Sequence, residues 1–367
     1  MITISLCMIV KNEEAVLERL LRTMSTVADQ IVIMDTGSTD RTKEIAARYT
    51  DEVYDFPWTD DFAAARNAVC QKAVSDYWMW MDADDVMEPE QAARLKNLKE
   101  TLDPSVDVVM MKYLTGFDEN GRTSFSYYRE RILKNHKGFQ WQGRVHEAVP
   151  PAGNILYTDI EIQHRKEGAG DKDRNLRIYE TMLSQGEPLE PRHQFYYARE
   201  LYYHERYEDA VRVFRAFLQE PDGWVENKID ACLHLALCEE HLGHTEKAVE
   251  ALLKSFLYDS PRGEACCELG RMKMKEEKYR EAAYWYTQAL SSRPAEQTGA
   301  FVRKDCYGFL PSIQLCVCYD RLGDHRRAWH YHLKSQKLKP EHPSVRQNQT
   351  YFEHILKRPA EGQPSAQ

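Results

Sequence analysis

The segment Tyr77-Trp78-Met79-Trp80-Met81-Asp82-Ala83-Asp84-Asp85 places an apolar run directly before three carboxylates. A short apolar run that is rich in aromatic side chains and bounded by charges predicts a buried β-strand. In parallel sheets covered by helices, ligands bind beyond the carboxyl ends of the strands. The segment therefore predicts an α/β fold with a functional site at the end of this strand.

Strand and helix signals alternate through residues 1–165. Further strands are predicted at Ile4–Val10, Gln30–Met34 and Val53–Asp55. The intervening helices are predicted at Ala15–Ser25, Thr39–Tyr49 and Phe62–Val74. This alternation predicts a parallel sheet covered by helices.

The second half of the sequence contains helical signals alone and an internal repeat. Small residues recur twelve positions apart, in the pairs Ala198 and Ala210, Ala236 and Ala248, Gly270 and Ala282, and Cys316 and Ala328. The spacing resembles the tetratricopeptide repeat, and the long last step indicates an insertion around Ala295–Leu310. We expect an α/β domain at 1–165, a connecting helix or linker at 166–191, helical repeats at 192–345, and a tail at 346–367 that is disordered at its end.

Composition narrows the class of protein. A net charge of −9 argues against nucleic-acid binding, which needs a basic surface. No apolar run reaches the ~18 residues of a membrane span, and the apolar N-terminus lacks a preceding basic region, so we expect a strand there and no signal peptide. The nine cysteines form no CxxC pair, which favours free thiols and a cytoplasmic location.

The acidic cluster after Met81 is a candidate metal site. Three crowded carboxylates repel one another, and a divalent cation relieves that repulsion. Oxygen ligands suit magnesium or manganese, and such an ion can bind a diphosphate. An ordinary acidic, solvated loop is the alternative interpretation.

Three other groups of residues could carry chemistry. Asp35 follows the second strand in a turn with Gly37, and Arg66 shares a helical face with Phe62. Glu147 follows an aromatic segment, where its pKa could be raised, and His164 could complete a metal site. A capped turn, a surface arginine and structural histidines are the alternatives.

Taken together, these clusters resemble the family 2 glycosyltransferases of the GT-A fold, over roughly residues 2–165. The motifs that carry the resemblance are Met8-Ile9-Val10-Lys11-Asn12-Glu13-Glu14, Asp35-Thr36-Gly37-Ser38-Thr39-Asp40, Asp82-Ala83-Asp84 (the DXD motif), and Val145-His146-Glu147. The resemblance implies a Rossmann-like nucleotide-sugar domain and an inverting transfer from a nucleotide-diphosphate sugar, most often a UDP-sugar. It also implies Mn²⁺ or Mg²⁺ as the cofactor.

The resemblance also implies roles for individual residues. The donor is expected to contact Val10, Asn12, Glu13, Asp35, Arg66, Asp82 and Asp84. Asp35 would contact the base, and Arg66 would lie near the diphosphate. The expected metal ligands are Asp84, His164 and Asp82. Glu147 falls at the position of the catalytic base, with His146 as the rival base or as the group that positions Glu147.

The domain order resembles that of repeat-bearing bacterial glycosyltransferases, including the sublancin-type peptide S-glycosyltransferases. This implies transfer of a hexose or N-acetylhexosamine to a peptide or protein docked on the repeats, in a homodimer. Aromatic residues of the insertion, Phe301, Tyr307 and Phe309, are candidates for a partner or dimer contact. A glycan or surface-polymer acceptor stays open, as does a non-catalytic repeat scaffold. A nucleotidyltransferase is disfavoured because Lys11-Asn12-Glu13-Glu14 contains no glycine.

Overall fold

The computed structural model describes residues 1–117, 121, 123–167, 171–295 and 298–356. The chain forms two compact units. The first holds Met1–Gly223, and the second holds Trp224–Ala295 and the chain from Phe301 onward. The first unit therefore extends well past residue 165, where the sequence pattern places the end of the α/β domain.

The first unit begins as an α/β structure and ends in helices. Its strands are β1 (Ile4–Val10), β2 (Gln30–Asp35), β3 (Val53–Asp55), β4 (Tyr77–Trp80), β5 (Asp85–Val86), β6 (Val108–Phe117), β7 (Thr123–Lys134) and β8 (Ile155–His164). Its helices are α1 (Leu17–Met24), α2 (Thr42–Ala46), α3 (Phe62–Cys70), α4 (Pro89–Thr101), α5 (Arg174–Ser184), α6 (Pro191–Tyr203) and α7 (Tyr207–Phe217).

These strands form one mixed sheet in the order β3-β2-β1-β4-β7-β6-β8-β5. The first four strands in that order are parallel, and β7 joins β4 and β6 in antiparallel pairing. Val10 lies opposite Asp35, so the ends of β1 and β2 are level. The predicted parallel strands are confirmed, and their carboxyl ends share one edge of the sheet.

Both faces of the parallel strands are buried, which explains their continuous apolar sequences. In β1, Leu6 and Met8 face the core beneath α1 and α4, whereas Cys7 faces the core that contains α3. Successive side chains of a strand point to opposite faces, so a strand buried on both sides needs apolar residues at every position. The predicted fold class of this domain is confirmed.

The sequence pattern missed the antiparallel part of the sheet. The strands β6, β7 and β8 carry charged and polar residues between their apolar ones, such as Lys112, Arg129 and Glu161. Arg131 in β7 and His164 in β8 contact the acidic cluster described below, so the alternation that marks a strand is interrupted there.

The second unit is a stack of helical hairpins. Its helices are α8 (Val225–His241), α9 (Thr245–Lys254), α10 (Gly263–Lys275), α11 (Tyr279–Ser291), α12 (Phe309–Arg321), α13 (His325–Leu338) and α14 (Pro343–Leu356). The predicted helical repeats are confirmed, because the small residues lie where paired helices approach each other. Gly270 in α10 faces the ring of buried Tyr286 in α11.

Two other segments differ from the sequence-based description. Helix α14 occupies much of the range assigned to a tail, and residues 357–367 lie outside the described part of the chain. In the insertion, of which residues 296–297 are not described, Tyr307 donates a hydrogen bond of 2.6 Å to Glu264, and Phe309 is buried. These two aromatics therefore pack within their own unit.

All nine cysteines are free thiols, as the sequence predicts. Of the helices in the described ranges, none combines the length and the apolar character that a bilayer crossing requires.

The close approach at Gly270 can be tested by adding one methyl group. A Cβ atom at this position would lie 2.8 Å from Cζ of Tyr286, whose ring is buried and cannot swing away. The steric cost of overpacking is about 1–3 kcal/mol, which exceeds the gain of about 1 kcal/mol in helix propensity. We expect Gly270→Ala to lower the melting temperature measured by circular dichroism, by about 2–4 °C per kcal/mol.

The matched control is the same substitution in a Tyr286→Leu background, which removes the ring atoms. There Gly270→Ala should cost less, because coupled residues show non-additive effects. Equal costs in both backgrounds would contradict the close-packing explanation.

Candidate functional site

The loops that follow β1 and β2 are joined by reciprocal hydrogen bonds. Asn12 has a left-handed backbone, with φ of 55°, which asparagine adopts more readily than most residues. Its backbone N–H donates to Oγ of Ser38 at 2.9 Å, and its side-chain Oδ1 accepts from the N–H of Thr39 at 2.8 Å. This pairing fixes the two loops beside each other at the carboxyl edge of the sheet.

Asp35, at the end of β2, is buried with one oxygen unpaired. Its Oδ1 accepts hydrogen bonds from the backbone N–H groups of Gly37 and Ser38, at 2.9 and 2.8 Å. Its Oδ2 is buried without a partner. A buried, unpaired carboxylate oxygen is costly, and an N–H donor from a ligand would relieve that cost.

Val10 contributes through its backbone. Its carbonyl oxygen accepts from the N–H and the hydroxyl of Thr36, at 2.9 and 3.1 Å. Its side chain is buried in the core. Val10 therefore shapes the loop that carries Asp35.

Arg66 links Asp82 to Glu147. Its Nη2 lies 2.6 Å from Oδ1 of Asp82, and its Nε lies 2.6 Å from Oε1 of Glu147. The guanidinium is only 7% exposed and lies over the rings of Trp80 and Trp141, at 5.1 and 4.7 Å from their centroids. Two carboxylates and two aromatic faces thus compensate one buried cation.

Helix α3 also holds the segment that carries Glu147. The side-chain amide of Asn67 donates to the carbonyl of Trp141 at 3.0 Å and accepts from its N–H at 2.8 Å. Gln142 and Ala148 then pair through two backbone hydrogen bonds and close a loop between them. Two neighbouring residues of α3 therefore contact this segment: Asn67 holds its start at Trp141, and Arg66 pairs with Glu147.

A second acidic cluster brings Asp84, Asp85 and His164 together. Asp85 in β5 is the antiparallel partner of His164 in β8. Nδ1 of His164 lies 3.2 Å from Oδ1 of Asp84 and 3.5 Å from Oδ1 of Asp85. Among the described residues, these three form the one group of at least three acidic, histidine or cysteine side chains close enough to share a metal ion.

Asp85 is the buried member of this cluster, and the sequence pattern placed it among the crowded carboxylates without a separate role. It is fully buried and accepts hydrogen bonds from Nη1 of Arg131 at 3.0 Å, from the hydroxyl of Tyr113 at 2.8 Å, and from the backbone N–H of Asp82 at 3.1 Å. Arg131 is itself fully buried. The sequence indicated Asp85 only as the third acid of the cluster. Its partner Arg131 lies in β7, a strand that the sequence pattern did not predict.

The charges of these groups shift one another. Burial, with the nearby carboxylates of Asp84 and Asp82, raises the pKa of Glu13 to about 7. Burial opposes ionisation of Asp82, but Arg66 and Arg131 lower its pKa to about 2. Burial also opposes the charge of His164, yet hydrogen bonds to Asp84 and Asp85 raise its pKa to about 10. The site therefore has surplus negative charge that a proton on His164 partly offsets.

His146 contacts the helices that follow the sheet. Its Nε2 lies 2.8 Å from Oε1 of Glu200 in α6. Its ring stacks on that of Tyr196, with centroids 4.2 Å apart and planes inclined by 11°. Its backbone is left-handed, with φ of 51°.

The structure thus separates the candidate residues into three groups. One contains Val10, Asn12 and Asp35 in the loops after β1 and β2. Another contains Arg66, Asp82 and Glu147. The last contains Asp84 and His164 together with Asp85. Asp82, which was also expected as a metal ligand, pairs with Arg66. Besides burial, the charges of Asp84 and Asp82 both raise the pKa of Glu13.

Residues 5–155 match the model of the glycosyl transferase family 2. The N-terminal part of this chain is thus similar to the glycosyl transferase family 2. The match covers β1 to the start of β8, so it includes the first two groups of site residues and ends before His164.

Two curated relatives share part of the chain. A TPR repeat-containing protein of Synechococcus elongatus is 32% identical over 149 residues, which are 41% of this chain and 36% of the relative. The SPbeta prophage-derived glycosyltransferase SunS of Bacillus subtilis is 26% identical over 228 residues, which are 57% of this chain and 51% of SunS. The chain thus matches about half or less of the length of these relatives.

Among solved structures, the glucosyl-3-phosphoglycerate synthase of Mycobacterium tuberculosis in complex with Mn²⁺, UDP and glucosyl-3-phosphoglycerate is 22% identical. The alignment covers 30% of this chain and 44% of the synthase, with a TM-score of 0.27.

The raised pKa of Glu13 predicts a pH-dependent effect on stability in the metal-free protein. The folded state holds a proton on Glu13 up to about pH 7, whereas the usual pKa is 4.5. Stability from this group is therefore present at low pH and lost as pH rises through that window, because the ionised form is disfavoured in the folded site. We expect Glu13→Gln, in EDTA, to raise the melting temperature at pH 8 and to change it little at pH 4.5.

The control is Glu14→Gln, because Glu14 is exposed and pairs with exposed Arg41. That variant should show no stabilisation at pH 8. Equal melting temperatures for wild type and Glu13→Gln at pH 8 would contradict the surplus of negative charge around Glu13.

Proposed function

We propose that this protein is an inverting glycosyltransferase that moves a hexose or N-acetylhexosamine from a UDP-sugar to a side chain of a peptide or protein. The observation that carries the proposal is the bridge from Arg66 to both Asp82 and Glu147, since it joins the DXD motif to the candidate base. The family 2 domain supports sugar transfer as the class of reaction.

The nucleotide part of the donor would bind in the loops after β1 and β2. The unpaired Oδ2 of Asp35 is an acceptor suited to an N–H of the base, and uracil carries one such group. Its other oxygen is committed to the Gly37 turn, so the carboxylate is already oriented before the donor arrives. Such preorganisation lowers the entropic cost of binding.

Asp84 and His164 fit a divalent cation, with Asp82 or Asp85 nearby as a further oxygen ligand. Bound there, Mn²⁺ or Mg²⁺ would neutralise charge on the departing diphosphate. His164 must lose its proton to act as a ligand, because only the neutral imidazole nitrogen has a free lone pair. Its place between two carboxylates keeps that nitrogen directed into the cluster.

Glu147 is the proposed base. One oxygen, Oε1, is paired with Arg66, and Oε2 makes no hydrogen bond to any described residue. The acceptor would lose its proton to this carboxylate while its oxygen or sulfur attacks the anomeric carbon. The bond from that carbon to the diphosphate oxygen breaks, its electron pair leaves with UDP, and attack from the opposite face inverts the anomeric centre.

The acceptor is proposed to be a peptide because arrays of paired helices, as a class, present surfaces suited to an extended chain. The free cysteines are consistent with the proposed cytoplasmic setting. A homodimer is proposed from the resemblance to repeat-bearing transferases. A glycan acceptor is the second candidate, and an acceptor panel separates the two.

Metal-dependent donor binding is the first expectation to test. Isothermal titration calorimetry should show that UDP binds with MnCl₂ present and binds far more weakly in EDTA, whereas GDP, CMP and ADP bind poorly. Asp84→Ala should remove the metal-dependent part of UDP binding while the circular dichroism spectrum is retained.

Asp51→Ala, which removes an exposed acid far along the chain from the DXD motif, is the control and should bind UDP normally. Metal-dependent UDP binding that persists unchanged in Asp84→Ala would refute the metal assignment. No binding of any nucleotide by a folded wild-type protein would favour the scaffold alternative.

The role of Glu147 predicts a separation of binding from transfer. Glu147→Gln keeps the shape of the side chain but cannot accept a proton, so sugar transfer should fall by about 10²–10⁴-fold. UDP binding with MnCl₂ should be retained, as measured by calorimetry. Transfer is measured as UDP release from UDP-glucose, UDP-galactose and their N-acetylhexosamine counterparts, with peptides bearing Cys, Ser or Thr, or with oligosaccharides.

Glu167→Gln, at an exposed acid that pairs with Arg19, serves as the control and should keep full activity. If Glu147→Gln instead lost UDP binding and its residual transfer tracked that loss, Glu147 would be a donor-binding residue and another group would be the base.

A further inference from the structure

Glu200 lies in α6, well outside residues 5–155 that match the family model, yet it contacts His146 in the loop between Gln142 and Ala148, next to Glu147. It is only 7% exposed, which is unusual for a glutamate. Its Oε1 lies 2.8 Å from Nε2 of His146 and accepts from the amide of Asn175 in α5 at 3.0 Å. A buried carboxylate that accepts two hydrogen bonds is held in one position and restricts the motion of both partners.

His146 needs such a restraint because its backbone is strained. A non-glycine residue with φ of 51° is held in the left-handed region, which persists only where surrounding contacts enforce it. This bend comes directly before Glu147 and so sets the direction in which the Glu147 side chain leaves the loop. A relaxed backbone at His146 would redirect Glu147 away from Arg66.

Helix α6 holds His146 at three places. Glu200 binds the ring edge, Tyr196 stacks on the ring face at 4.2 Å, and Arg192 donates to the carbonyl oxygen of His146 at 3.2 Å. The neighbouring helix α5 adds Tyr179, whose ring lies 6.3 Å from that of His146 and nearly parallel to it. Together these contacts define the orientation of the residue.

Helix α6 also approaches the loop at Gly143. Its φ of 94° favours glycine, and a Cβ atom there would lie 2.1 Å from Nε2 of His193, so a larger residue would require the His193 ring to move. Helix α6 therefore contacts the loop between Gln142 and Ala148 at both Gly143 and His146. Helix α3 holds the start of this loop through the hydrogen bonds of Asn67 with Trp141.

We propose that Glu200 is a positioning residue of the transferase, which holds His146 and thereby aims Glu147 at the acceptor. The proposal rests on the assignment of Glu147 as the base. In this proposal the α5–α6 hairpin contributes to the reaction by positioning Glu147, separately from acceptor docking. His146 then orients the base and is not itself the base.

The test compares Glu200→Ala with Glu200→Gln in the full-length chain. Glutamine keeps an oxygen that can accept from His146 and Asn175, whereas alanine removes both contacts. We expect Glu200→Ala to lower kcat by about 10²-fold, as misplacement by about 1 Å does. The KM for the UDP-sugar and the binding of UDP with MnCl₂ should stay unchanged, and Glu200→Gln should restore most of kcat.

Hydrogen–deuterium exchange gives a second readout that needs no activity. Amides of residues 139–148 should exchange faster in Glu200→Ala than in wild type, while amides of β1 and β4 stay protected. The control is Glu180→Gln in α5, which removes a partly exposed ion pair with Arg206 from the same hairpin without touching His146.

The outcomes separate this proposal from the proposed function. Faster exchange in the loop of Glu200→Ala, with UDP binding intact, supports the positioning role even if no acceptor is found. Unchanged exchange and unchanged kcat would overturn it. Equal loss of kcat in Glu200→Gln and Glu200→Ala would also overturn it, because the charge of Glu200 would then matter and not the position it gives His146. A parallel loss of kcat and UDP binding would show a general structural role instead.

Discussion

The guanidinium of Arg66 is the interaction on which the site depends. It joins the end of β4, through Asp82, to the loop before β8, through Glu147, and both contacts are 2.6 Å long. A buried cation is stable only with its partners in place, and loss of one partner from a buried ion pair costs about 3–5 kcal/mol. The rings of Trp80 and Trp141 enclose it, so packing and charge fix the same geometry. Residues from distant parts of the chain thereby come to one edge of the sheet.

A second buried arginine supports the neighbouring cluster. Arg131 and Tyr113 donate hydrogen bonds to Asp85 within the core. Asp85 in β5 lies opposite His164 in the adjacent strand β8. The acids of the DXD segment therefore differ in environment although they are adjacent in sequence. Asp85 is committed to the protein interior, Asp82 to Arg66, and Asp84 to the side that His164 faces. This division leaves Asp84 and His164 as the groups that an ion can most readily use.

The first helices after the sheet belong to the same compact unit as the sheet. The α5–α6 hairpin packs Ile178, Tyr179 and Met182 against Val145 of the loop that carries Glu147, in a small core of its own. The hydrogen bond that Nε2 of His146 donates to Glu200 lies beside this core. The loop that carries Glu147 has a left-handed residue at His146, and this packing makes the loop more rigid. Without the α5–α6 hairpin, the loop would be held only at its start, where Asn67 of α3 binds Trp141. The α5–α6 hairpin thus both precedes the repeats and holds the loop that carries Glu147.

The sequence by itself determined the parallel strands, the helical repeats, and most of the residues at the strand ends. It could do so because strands buried on both faces are continuously apolar, and because close helix packing demands small residues at a regular spacing. Only the tertiary structure decided which charges meet. The pairing of Arg66 with both Asp82 and Glu147, the burial of Asp85 against Arg131, and the support of His146 by Glu200 join residues that are 16 to 81 positions apart. No local pattern records such contacts, since their geometry is set by the sheet order and by how the helices pack on it.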